Sequence, residues 1–152
     1  MKTLYEILRE SAELYSNFLE LEYKKYEFII KDDTLSLDET VAEEQAFYMK
    51  MRGLEQKRIA YIEKMGMKDK TLAEIIELSG DDDKAILKEA YDELNRLITE
   101  VKKISDLCKL VIEVRLRRID RAMSKLGQKE NTYSNEDVKN NNTKSFLLSK
   151  KI

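Results

Sequence analysis

The sequence predicts an all-α fold: an elongated antiparallel three-helix bundle with a long third helix, a short connecting helix and a flexible C-terminal tail. Three observations point there. The chain of 152 residues contains no proline, so nothing in it forces a helix to break. Apolar residues recur at three- and four-residue spacings along most of the chain, a pattern that fits no strand. With 38% charged and 42% hydrophobic residues, the composition is that of a helix-rich soluble domain with one core.

The first helix is expected over about residues 2–31, where Leu4, Ile7, Leu8, Leu14, Phe18, Leu21, Phe28 and Ile29 share one face with Ser11, Glu22 and Lys25. A turn follows at "KDDTLSLDE", and Ser36 with Glu39 three residues later has the spacing of a capping box. The second helix, 37–65, carries a weaker stripe of Leu37, Val41, Phe47, Met51, Leu54, Ile62 and Met65, with the charged Glu44 and Arg58 embedded in it. A register centred on the turn near residue 34 sets Glu22 and Lys25 level with Glu44, and Arg115 of the third helix is expected in the same charged layer. Such a layer adds little stability but opposes slippage.

Thr71 and Glu74 form a second capping-box pair and open a short helix at 71–78. "DDDK" then places carboxylates at the positive end of a helix dipole. From there Leu87, Tyr91, Leu94, Ile98, Val101, Ser105, Cys108, Ile112, Arg115, Ile119, Ala122 and Leu126 repeat with 4-3 spacing beside a second column of Ala90, Leu97, Ile104 and Val111. The third long helix is expected over 82–126, a length of roughly 65 Å. Gly66, Gly80 and Gly127 read as helix ends and Gly53 as internal.

Composition excludes several functions. Twenty-eight basic and 30 acidic residues leave a net charge of −2, which provides no field for nucleic acid or an anionic membrane. No histidine is present, which removes the commonest general base and transition-metal ligand. The one cysteine, Cys108, sits at a seam position as a small hydrophobe. Asp81–Asp83 lack the spacing and glycine of a calcium loop. The expectation is a protein without catalytic residues, metal or cofactor, and, lacking a signal peptide or an apolar run of ~18 residues, a cytoplasmic one without membrane insertion. Arg115, Arg117, Arg118, Arg121 and Lys125 read as cations favoured near a helix C-terminus rather than a nucleic-acid site.

Residues 127–152 carry five lysines against three carboxylates and too little apolar surface to offset the entropy of ordering, so a mostly disordered partner-binding tail is expected. Within it stand a lone phenol, Tyr133, and an apolar island, Phe146-Leu147-Leu148.

"NFLELEYKKYEFIIKDD" at 17–33, then Leu37, Val41 and Glu44, "LEQKR" at 54–58 and "KMGMKDKTLAEIIEL" at 64–78 resemble, in order and spacing, the FlgN family of flagellar type III export chaperones. Asp106 and Lys109 stand where that family often has an Asn-x-x-Asn pair, and Tyr133 lacks the glycine that commonly follows the family's tail tyrosine. The resemblance implies a chaperone that binds terminal amphipathic segments of hook-associated proteins, prevents their premature assembly and delivers them to the export gate. It implies client binding by Ile119, Met123, Leu126, Val138, Phe146, Leu147 and Leu148, and gate docking by Tyr133. The competing expectation is a coiled-coil scaffold or homo-oligomerisation module, with a homodimer burying the stripe when no client is bound.

Overall fold

A computed structural model describes the backbone of residues 1–149 and the side chains of residues 1–128. Among the described residues every regular element is an α-helix: α1 Lys2–Lys31, α2 Thr34–Lys64, α3 Leu72–Glu77 and α4 Asp81–Ser149. The chain divides into two compact units, Met1–Leu110 and Val111–Ile152. Gly127, read as a helix end, lies inside α4. A single glycine costs a helix only about 1 kcal/mol, and no proline follows it.

Helix ends are set by local hydrogen bonds. α1 closes with Asp32 in the left-handed region at φ 56°, where the Asp32 and Asp33 amides donate to the carbonyls of Ile29 and Phe28. Asp33 then caps α2: its carboxylate accepts from the Ser36 amide at 3.1 Å and from the Ser36 hydroxyl at 2.7 Å. The Ser36–Glu39 capping box expected from the sequence is therefore not the start of α2. The carboxylate three residues earlier takes the orphan amide first, and those bonds hold its pKa below the usual range. At the other end of α2, Gly66 adopts φ 69° and donates to Glu63, while Met67 donates to Ile62, the paired bonds of a Schellman motif. The Thr71–Glu74 capping box is present, with each residue accepting from the other's amide.

In the first unit, α1 and α2 run antiparallel. Lys57 pairs with Glu10, Phe18 meets Phe47 in a tilted ring contact and Lys25 pairs with Glu44, as a register centred on the turn near residue 34 requires. One core cluster gathers Leu4 and Leu8 of α1, Ile62 of α2, Ile75 and Ile76 of α3, and Leu87 and Ala90 of α4. A second gathers Phe18, Leu21 and Val101 with Phe47 and Met51 packed against it. Two seam assignments change. Val41 is exposed and Thr40 is buried in its place, its hydroxyl bonded back to the Ser36 carbonyl. On α4 the column Ala90, Leu97 and Ile104 is buried together with Leu87, Val101 and Cys108, whereas Ile98 is exposed. A 3.6-residue helix drifts against a 3.5-residue repeat, so a straight 4-3 column cannot stay in one interface.

Between the apolar residues lies a charged layer. Glu22 is fully buried and Glu44 is 5% exposed. Lys25 donates to Glu44 at 2.5 Å and stands 3.5 Å from Glu22, and the Ser105 hydroxyl of α4 donates to Glu22. The thiol of Cys108 lies 4.0 Å from the Glu22 carbonyl. The α4 side chain that bonds to Glu22 is Ser105; the expected place of Arg115, a residue of the second unit, is a separate question of that unit. Two buried carboxylates share one ammonium. Burial and the neighbouring Glu22 raise the Glu44 pKa to about 7. Burial also pushes Glu22 up, but Glu44, Ser105 and Lys25 together outweigh it and hold Glu22 below the usual range.

Truncating the first core cluster with Leu8→Ala is expected to cost about 2–5 kcal/mol in urea denaturation, whereas Leu35→Ala, at a side chain 73% exposed, should stay within about 0.5 kcal/mol. The raised Glu44 pKa means that the folded state holds a proton more tightly than the unfolded chain. Its contribution is fully present below the ordinary value of 4.5 and is lost as pH rises through about 7. Stability should accordingly fall by the order of 1–2 kcal/mol between pH 5 and pH 8, and Glu44→Gln should flatten that slope. An unchanged slope in the variant would assign it elsewhere.

Candidate partner-binding surface

The second unit carries an exposed apolar run on α4. Ile119, Met123 and Leu126 are 58%, 66% and 59% exposed, and Leu116 is exposed with them. At 3.6 residues per turn, these four side chains fall within an arc of roughly 80°, so they form one stripe rather than scattered apolar residues. Leu116 was not among the residues singled out from the sequence. The signal was there, since it precedes Ile119 by three positions and Met123 by seven.

Charge is distributed unequally beside the stripe. Arg118 and Lys125 flank one edge, and Glu113 and Asp120 flank the other. Arg117 donates to Glu113 at 3.3 Å, which partly neutralises the acidic edge. The other sequence-predicted residues, Tyr133, Val138, Phe146, Leu147 and Leu148, have side chains outside the described residues.

The first unit presents a different feature. A groove of about 630 Å³ is lined by Tyr15, Leu54, Arg58, Tyr91, Leu94 and Ile98, among others. The "LEQKR" segment sits here: Leu54 is buried, and Arg58 forms a two-pronged pair with Glu55 one turn away. Those bonds raise the Arg58 pKa and lower that of Glu55. The order Leu-Glu-x-x-Arg thus supplies one core contact and one intrahelical ion pair, both of whose members line the groove.

Chemistry elsewhere is sparse. Among the described residues no three His, Cys, Asp or Glu side chains come together as metal ligands. Burial and the nearby Glu22 carboxylate raise the pKa of the Cys108 thiol, which suppresses the thiolate needed for nucleophilic attack. Among the described residues no helix is long and apolar enough to cross a membrane. Among the described residues the exposed apolar stripe of α4 and the groove of the first unit are the two surface features that stand out.

No curated protein and no solved structure matches the chain. The family model described as FlgN protein matches residues 1–140, which takes in both units' described side chains and each segment quoted for the resemblance. The chain therefore belongs to the FlgN family, a family of flagellar export chaperones.

Proposed function

We propose that the chain is a cytoplasmic chaperone that binds the terminal amphipathic segments of hook-associated proteins, blocks their premature assembly and delivers them to the flagellar export gate. The observation that carries this reading is the exposed stripe of Leu116, Ile119, Met123 and Leu126 in the second unit. Leaving four such side chains in water forgoes roughly 25 cal/mol for each Å² that a partner would cover. A client helix laid along the stripe completes the burial by helix addition, a mode that needs neither nucleotide nor metal. Covering the same amphipathic segment on the client would remove the surface through which client subunits polymerise.

Residues 127–152 extend this grip in the proposal. Val138, Phe146, Leu147 and Leu148 supply further apolar contacts, and Tyr133 meets the export gate. Family membership supports the general class of function, and the exposed stripe supports the place of contact.

Purified chain and a hook-associated subunit should form a complex measurable by calorimetry. Ile119→Asp should weaken it by roughly 10–100-fold without loss of helical circular dichroism. Deletion of 128–152 should have an effect at least as large. Normal client affinity in both variants would reject the proposed site, and light scattering that finds a stable homodimer indifferent to client would favour the scaffold reading. Tyr133→Ala should preserve client affinity and reduce export, so a loss of client binding would reassign the phenol.

A further inference from the structure

We propose that the charged layer of the first unit holds one proton between two helices: the Glu44 carboxyl of α2 carries it and donates it to Oε1 of Glu22 on α1, so that the proton is a latch between them. α1 brings Glu22 and Lys25 to the layer, α2 brings Glu44 and Tyr48, and α4 brings Ser105 and Cys108. Burial and the neighbouring carboxylates push the Tyr48 phenol and the Cys108 thiol up, so neither carries charge near neutral pH. One ammonium then faces two carboxyl groups. Glu22 is 0% exposed and Glu44 5%, and a second buried negative charge without a cation of its own takes up a proton instead.

An orphan oxygen marks where that proton points. Oε1 of Glu22 is buried and accepts no hydrogen bond, a state that buried acceptors rarely keep. The nearby donors are committed elsewhere. Ser105 donates to Oε2 of Glu22 at 2.5 Å, Lys25 donates to Oε1 of Glu44 at 2.5 Å and stands 3.5 Å from Oε1 of Glu22, and the Cys108 thiol faces the Glu22 backbone carbonyl. A protonated Glu44 supplies the missing hydrogen from Oε2, the oxygen that Lys25 does not use. The two shifts run in opposite directions, Glu44 up to about 7 and Glu22 below the usual range, as a donor and its acceptor require. The latch is fully present below the ordinary value of 4.5 and is lost as pH rises through about 7, where two like charges would otherwise meet inside the layer.

The test follows the side-chain carboxyl carbons of Glu22 and Glu44 by 13C NMR in the full chain between about pH 4 and pH 9. Both should move with one shared midpoint near 7, because a proton held between two carboxyl groups is sensed from both sides. In Glu22→Gln, Glu44 keeps Lys25 but loses its negative neighbour, and its proton affinity should drop by roughly tenfold or more. In Glu44→Gln the amide donates to Glu22 at every pH. Backbone amide protection around the layer, corrected for base-catalysed exchange, should then stay level between about pH 5 and pH 8, whereas in the unaltered chain it should fall roughly tenfold. A Glu44 midpoint that survives Glu22→Gln overturns the proposal, since burial alone would then hold the proton. A titration of the unaltered chain in which Glu44 moves and Glu22 does not also overturns it, and that readout stands even if a variant fails to fold.

Discussion

Lys25 stands between two buried carboxylates on different helices, and the register of the first unit depends on that arrangement. Glu22 and Lys25 come from α1 and Glu44 from α2, while Ser105 of α4 donates to Glu22. Net stabilisation from such a trio is small, because desolvation offsets most of the attraction. Its consequence lies in what it forbids. Sliding α2 by one turn would leave Glu44 buried without Lys25, a state that costs several kcal/mol, whereas the leucines along the same seam would tolerate the shift. The trio thus converts an apolar interface that is permissive along its length into one with a single alignment.

That alignment decides which side chains the first unit consumes. Leu4, Leu8, Ile62, Ile75, Ile76 and Leu87 close one cluster and Phe18, Leu21 and Val101 another. Six residues of α4, from Leu87 to Cys108, are buried there. α4 carries the same kind of apolar spacing into the second unit, where Leu116, Ile119, Met123 and Leu126 are exposed. One helix therefore serves two ends: its first part closes a core, and its later part leaves apolar surface exposed, which is the surface that the proposed helix addition would use.

Much of this was legible in the residues. The all-helical class, the four helices in order, the Thr71–Glu74 cap and the level of Glu22, Lys25 and Glu44 follow from short-range periodicity and turn spacing. The α2 start was misplaced because Asp33 and Ser36 are both good caps, and the choice depends on the Asp32 turn that precedes them. Val41 was misplaced because a moderate stripe does not say which of two adjacent positions faces a neighbour. Leu116 stands outside the 4-3 column through Ile112, Arg115 and Ile119, and its place on the Ile119–Met123 face shows only in its spacing of three and seven residues from those two.

By itself the sequence determined helix identity, helix order and the Thr71–Glu74 cap, because these depend on neighbours three and four positions away along one chain; it did not set the length of α4, expected over 82–126 and observed over Asp81–Ser149. Only the tertiary structure decided that the column Ala90, Leu97 and Ile104 is buried while Ile98 is not, and that Ser105 is the α4 partner of Glu22. Those outcomes turn on how far helices rotate about their axes when they pack, and a drift of a few degrees per residue accumulates beyond what local spacing can specify.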